Sequence, residues 1–281
     1  MKKIMALALA LVMALGTLTA CGGNAVSAKV ITINLTEEEY AFGVDKNQPE
    51  LLEKTNEFIK KIKADGTFDT ICDKYFGDGT PEAVVSAELD ESKDQLVVAT
   101  NAAFAPFEYT EDGGKTYLGV DMEIAALLAK ELGKELVILD IDFDAVCLYV
   151  DQGKCDIAMA GLTINEERKD LVNFSDPYYN ASQQLIVLSD NTEFDACKTK
   201  EDVENILKAK DKNYAVGVQK GTTGNWYVAG DADWGFDGFN VKCVEMSNGS
   251  LAVQDLLNGN LDCVVIDSAP AAKIVESFNA Q

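Results

Sequence analysis

The 281-residue chain contains no histidine. That absence removes Ser–His and Cys–His nucleophilic pairs and the common zinc sites. No Cys-x-x-Cys spacing occurs either, which excludes a zinc ribbon and a thioredoxin-like dithiol. Basic residues are scarce: 24 Lys and Arg stand against 47 Asp and Glu, for a net charge of −23. So acidic a surface repels phosphate backbones and excludes nucleic acid as a partner. Long apolar runs are absent after the N-terminal IMALALALVMALG, so no later segment is expected to span a bilayer. What is present is a globular composition, 47% hydrophobic and 25% charged. The length suits two ordinary domains or one large one.

At the N-terminus, Lys2 and Lys3 precede that apolar run, and Leu18-Thr19-Ala20-Cys21-Gly22 follows. The run is short for a membrane span and has the order of a signal peptide. Small residues before a cysteine resemble the bacterial lipobox. The expectation is a signal over residues 1–20, a lipid on Cys21 and a small, polar tether over 21–28, with the mature chain held at the membrane by lipid alone. An ordinary cleaved signal with an incidental Cys21 is the alternative, and both export the chain. Export permits disulfides among Cys72, Cys147, Cys155, Cys197, Cys243 and Cys263. Several of these lie in apolar runs, where a free thiol packs as a small hydrophobe. GDADWGFDG faintly resembles a calcium loop, but counting from Asp231 the twelfth position is Lys242, not Glu, which excludes it. No metal or cofactor is expected.

The pattern along the chain is alternating strands and helices. KVITINL (29–35) and EYAFGV (39–44) read as strands. Pro49 opens a helix with Leu51, Leu52, Thr55, Phe58, Ile59 and Ile62 on one face, and Gly66 ends it. Phe68, Ile71, Cys72 and Tyr75 mark a second, short helix. Residues 77–95 are acidic and turn-rich, a linker. From residue 96 strands alternate with helices to the end, which predicts an α/β protein with mainly parallel sheets.

In such sheets ligands bind beyond the carboxyl ends of strands. Those ends carry Asn101 and Phe104, then Gly161, Thr163 and Arg168, then the run Lys220-Gly-Thr-Thr-Gly, then Asp267. A cation, hydroxyls, backbone N–H groups, an aromatic face and a carboxylate together suit a zwitterion. Asn165 should cap the helix that carries Arg168. A cation in a first helical turn needs an anion, either Glu166 and Glu167 or a bound carboxylate. KGTTG offers a nest of N–H donors or a simple capped turn. Asp267 could hold an ammonium or cap a helix ahead of Pro270. Phe104 could stack on a ligand or sit in the core.

FDAVCLYVDQGKCDIAMAGLTINEERKDLVNFSDPYY resembles the signature of extracytoplasmic amino-acid-binding proteins of ABC transporters, the two-lobed family 3 solute receptors. ATNAAFAPFEY, LGVDMEIAALLAKELG, VGVQKGTTG and LLNGNLDCVVIDSAPAAKIV do so too. The resemblance implies a monomeric α/β, periplasmic-binding-protein-like fold of two lobes that traps an amino acid and docks on a permease. By position, it implies that Phe104 covers the ligand and Asn101 senses its side chain. Ala160, Gly161 and Thr163 would line the first-lobe site, and Arg168 would grip the α-carboxylate. Gln219, Thr222 and Thr223 would meet that carboxylate from the second lobe, and Asp267 would take the ammonium. Ala160 stands where many relatives have Ser, and Asn165 where Thr is usual. Asn101 replaces the Asp of receptors for cationic amino acids, which points to a neutral or polar ligand.

The family ends with a strand, a Pro-initiated helix, KADGT, a helix and YFG. Here that ending comes first, as EEYAFGVDKNQPELLEKTNEFIKKIKADGTFDTICDKYFG, and is missing after Gln281. The resemblance therefore implies a circularly permuted chain. Lobe 1 would comprise 36–185, with 36–76 the displaced segment and 77–95 the linker. Lobe 2 would comprise 29–35 and 186–281, with crossings near 36–40 and 180–187. A fusion fragment left by duplication is the rival explanation. For function, the rivals are a cyclohexadienyl-dehydratase-like enzyme, which needs a Glu or Asp with a raised pKa in the cleft, and a ligand-sensing lipoprotein without a transporter.

Overall fold

The computed structural model describes residues 26–114 and 116–280. The expected signal, Cys21 and most of the tether lie outside the described residues. The chain opens with β1 (Ala28–Ile31), β2 (Glu38–Tyr40) and β3 (Gly43–Val44), then α1 (Pro49–Ala64) and α2 (Thr67–Phe76). β4 (Gln95–Thr100), the hairpin β5 (Ala103–Phe104) and β6 (Glu108–Tyr109), α3 (Val120–Leu132) and β7 (Glu135–Asp140) follow. Next come a 3-10 turn (Phe143–Ala145), α4 (Val146–Asp151), β8 (Ile157–Ala158), α5 (Glu166–Lys169), β9 (Asn173–Phe174), β10 (Tyr179–Ala181) and β11 (Gln183–Leu188). The last part holds α6 (Lys200–Lys208), β12 (Ala215–Gln219), α7 (Thr223–Ala229), β13 (Lys242–Met246), α8 (Gly249–Leu257), β14 (Cys263–Asp267) and α9 (Ser268–Asn279).

Two five-stranded sheets make two lobes. Lobe 1 has the order β7-β4-β8-β3-β9 and lobe 2 the order β1-β11-β14-β12-β13. In each sheet one strand runs against the other four. It is β3 in lobe 1, antiparallel to β8 and β9, and β11 in lobe 2, antiparallel to β1 and β14. Each reversed strand is the first one after a crossing between the lobes. The crossings themselves, β2 and β10, pair antiparallel with each other and belong to neither large sheet. This corrects the single strand expected over EYAFGV: Tyr40 ends the crossing and Gly43 starts a strand of lobe 1, so the pairing breaks between them. KVITINL likewise pairs only as far as Ile31, opposite Leu185, before the chain turns to Leu35, whose N–H bonds the Gln183 carbonyl.

Helices α1 and α2 pack on lobe 1. Their apolar stripe (Phe58, Ile59, Ile62, Ile71 and Tyr75) is buried in one cluster with Leu96 and Val98 of β4 and Ile124 and Leu128 of α3. Burying each such side chain stabilises by about 1.5–3 kcal/mol. Lys61 pairs with Glu131 at 2.7 Å, and Asn56 accepts from the Asp176 N–H at 2.8 Å, which fixes the direction of α1 on the lobe. Residues 77–94 are docked, not free. Val84 exchanges two backbone hydrogen bonds with Tyr117, while the Ala87 N–H and the Ser86 hydroxyl engage Leu136 and Ile138. This covers the open edge of β7, a need that turn-rich composition does not reveal. At the other end, the Asn279 side chain exchanges two hydrogen bonds with the backbone of Ala28, so α9 ends beside β1. All six described cysteines are free, and Cys147, Cys155 and Cys263 are buried.

Candidate functional site

The carboxyl ends of the parallel strands of the two lobes meet, with Asn101 bonded to Gln219 and Arg168 to Gly221 across them. Asn101 follows β4, Ala160 to Arg168 follow β8, Gln219 closes β12, Thr222 and Thr223 start α7, and Asp267 closes β14. The topology thus brings together residues that are 166 positions apart in the chain.

Arg168 lies on a single-turn helix. The Asn165 side chain caps that turn by accepting the Arg168 N–H at 2.6 Å. The arginine is only 7% exposed. Its Nη1 donates to the Thr163 carbonyl at 2.7 Å and its Nη2 to the Gly221 carbonyl, in the opposite lobe, at 3.1 Å. Phe143 and Trp226 flank the guanidinium at 5.2 and 5.3 Å from the ring centroids. The neighbouring glutamates do not neutralise it: Glu166 turns outward to Lys169 at 2.7 Å, and Glu167 is exposed. Among the described residues Arg168 has no ion-pair partner within 4.0 Å. Burial pulls its pKa down from the usual value, offset in part by the fields of Cys147, Glu38 and Asp267. A buried guanidinium held only by carbonyls and ring faces has the chemistry to pair with an anion of two oxygens.

Asp267 is 6% exposed and stands at the N-cap position of α9, yet its side chain makes no cap hydrogen bond. It accepts instead from the Tyr40 hydroxyl at 2.5 Å. Burial first, and then the charge of Glu38, raise its carboxyl from 3.8 to about 7. Glu38 is 5% exposed and accepts from the hydroxyls of Thr36 (2.5 Å) and Thr163 (2.6 Å) and from Gln183 Nε2 (3.0 Å). A ligand ammonium beside Asp267 would relieve this crowding of negative charge.

The other expected residues divide into engaged and unengaged groups. Asn101 donates to the Ile141 carbonyl at 2.8 Å and accepts from Gln219 Nε2, across the cleft, at 3.1 Å. Thr222 is a helix cap: its hydroxyl donates to the Gln219 carbonyl at 2.7 Å and accepts the Asn225 N–H at 3.3 Å. The Gly161 N–H donates to Asp121 at 3.0 Å, and Thr163 is held by Glu38. By contrast the Thr223 hydroxyl and Gln219 Oε1 are buried without a protein partner. Gly161 has φ +55°, and a Cβ there would stand 2.9 Å from the Phe104 ring, so only glycine lets Phe104 lie this close. Phe104 also stacks on Phe107 at 6.0 Å, and Ala160 is buried in the lobe 1 core beside Val146 and Val172.

Sequence reasoning missed Glu38, Tyr40, Phe143 and Trp226. Trp226 had a signal, four residues after Thr222 on one helix face. Glu38 and Tyr40 had none beyond the alternation of β2. Among the described residues no cluster of acids or cysteines could hold a metal ion, and no helix is long and apolar enough to cross a membrane.

Comparison with known proteins places this architecture. A probable histidine-binding protein of Neisseria gonorrhoeae is 33% identical over 184 residues, 66% of this chain and 63% of the relative. The chain spans about half to three fifths of the length of the curated relatives it matches. A solved ancestral arginine-binding protein bound to arginine is 37% identical with a TM-score of 0.56, covering 66% of this chain and 76% of that one. An ancestral amino acid-binding protein described as a precursor of cyclohexadienyl dehydratase is 34% identical with a TM-score of 0.55, covering 66% and 75%. The sequence also matches the description "Bacterial extracellular solute-binding proteins, family 3" over residues 5–78 and 96–264. The chain belongs to that family.

Proposed function

We propose that this chain binds a free amino acid between its lobes and delivers it to the permease of an ABC transporter. One observation carries the reading: Arg168, buried without an acid, and Asp267, buried without a base, stand in opposite lobes near enough for the field of Asp267 to act on the arginine. A zwitterion supplies both missing charges, and closure over it requires that each be paired. The names of relatives that bind histidine or arginine support the class of ligand. The neutral amide pair Asn101–Gln219 favours a neutral or polar side chain over a cationic one. Lobe 1 comprises 36–185 and lobe 2 comprises 29–35 and 186–281, moving about β2 and β10 as a hinge. The receptor acts as a monomer outside the cytoplasm, held to the membrane by a lipid on Cys21. It is a binder, not an enzyme.

We further infer that the chain is circularly permuted relative to its family. Three observations support this: the family match falls in two blocks, the similar solved structures cover 66% of the chain, which is the share that residues 96–281 make up, and α9 ends beside β1.

The test is a thermal-shift panel of the twenty amino acids. A ligand at about 100 times its Kd should stabilise by about 2.7 kcal/mol. No shift with any amino acid sinks the reading. A dehydratase reading is favoured by one solved relative, described as a precursor of such an enzyme. Release of phenylpyruvate from prephenate would establish it.

A further inference from the structure

Strand β2 belongs to neither lobe's sheet, yet both of its inward side chains reach a ligand anchor. Glu38 and Tyr40 are buried on one side of the strand, with Glu39 exposed between them. Tyr40 holds Asp267 of lobe 2. Glu38 holds Thr163 of lobe 1 at 2.6 Å, and the Thr163 carbonyl in turn accepts Arg168 Nη1 at 2.7 Å. The remaining partners of Glu38 come from the two crossings. Thr36 precedes β2, and Gln183 follows β10 at the start of β11. Those two are themselves joined, the Gln183 N–H donating to the Thr36 hydroxyl at 2.8 Å. All three of these partners donate to the Glu38 side chain.

We propose that Glu38 is a positioning residue of the binding site: a carboxylate borne on the hinge that ties the Thr163–Arg168 loop to both crossings. It touches no ligand. It sets where Arg168 stands relative to the hinge, so closing the lobes and presenting the guanidinium are one motion. The proposal rests on the amino-acid-binding reading for its consequence and on contacts within the chain for its mechanism.

The experiment uses the full mature chain and the amino acid giving the largest thermal shift as probe. Glu38→Ala should raise Kd at least tenfold, and Thr163→Val should do likewise. The double variant should be no weaker than the weaker single one, because both remove the same link. Additive losses, or a Glu38→Ala affinity within twofold of the unaltered chain, overturn the proposal. If Glu38→Ala does not fold, Glu38→Gln, which keeps the volume, carries the test with an expected loss of at least threefold. Hydrogen exchange without ligand separates the two readings. Amides over 162–172 should exchange at least tenfold faster in the Glu38 variant, while those of β12 do not change. If no amino acid binds the unaltered chain, the transport reading fails and this exchange result still decides the role of Glu38.

Discussion

Arg168 and Gly221 meet across the cleft, with Nη2 of the arginine 3.1 Å from the glycine carbonyl oxygen. A cation of lobe 1 therefore ends on backbone of lobe 2. Beside it Lys220 of lobe 2 pairs with Asp144 of lobe 1 at 2.6 Å. Both contacts join the two lobes.

Replacing Arg168 by lysine keeps the charge and loses the fork. A lysine cannot serve two carbonyls and still offer paired N–H groups to a carboxylate. The expected loss is about 1.5–3 kcal/mol, a 10- to 150-fold rise in Kd by calorimetry. An unchanged Kd would mean that the carboxylate binds elsewhere.

Asp267 should set a pH dependence of opposite sign for stability and for binding. Its folded carboxyl is raised to about 7, as is that of Asp121, buried behind Gly161. The ligand-free fold therefore holds extra protons between about pH 4 and about pH 7. Their stabilising contribution is complete below that window and lost as pH rises through it. Binding an ammonium needs the charged carboxylate, so affinity should fall as pH drops below about 7, roughly 30-fold between pH 8 and pH 5.5. Asp267→Asn should flatten that profile. A pH-independent Kd for the unaltered chain removes Asp267 from the ammonium site.

Gly221 has φ +71°, and a Cβ there would lie 2.9 Å from Cβ of Asp144 in the other lobe. Gly221→Ala costs about 1 kcal/mol through its backbone alone. Its main effect should be to prop the lobes apart. Small-angle scattering with saturating ligand should show a larger radius of gyration than for the unaltered chain, with Kd raised at least tenfold.

Two adjacent threonines should separate stability from binding. Thr222→Ala removes a helix cap, costing about 1 kcal/mol of stability with a minor change in Kd. Thr223→Ala removes a hydroxyl that has no protein partner, so it should weaken binding several-fold and leave the melting temperature nearly unchanged. Equal effects on both quantities in both variants would contradict the division of roles.

Reordering the chain tests the permutation. A chain starting at Asp94, running to Ala280, joined by a short linker to Ser27 and ending at Lys93 would take the order expected of the family and keep the docked segment 77–93. The neighbouring positions of Asn279 and Ala28 permit the joint. It should match the unaltered circular dichroism and melt within about 5 °C of it. Failure to fold would favour the duplication-fragment explanation.

Most of the scaffold was legible because it is local. Pro49 and Gly66 punctuate α1, Asn165 caps α5, and apolar spacing sets which faces are buried. Arg168 stood out because a cation is misplaced in a first helical turn. What was not legible depends on how two lobes meet. Tyr40 and Asp267 are 227 positions apart, and no periodicity links them. The pattern that marked EYAFGV as extended could not show that the chain changes sheets inside it. The role of Thr222 was ambiguous for a different reason: a capping hydroxyl and a ligand-binding hydroxyl look alike until their partners are known.

Because β1 lies in the sheet of lobe 2, any pull on the residues before Val26 is borne by that lobe. Lobe 1 hangs from it by two extended strands. If the lobes close as proposed, a restraint at the N-terminus makes lobe 2 the fixed jaw of the clamp and leaves the jaw carrying Arg168 free to swing. A restraint attached ahead of β4 would grip the opposite jaw.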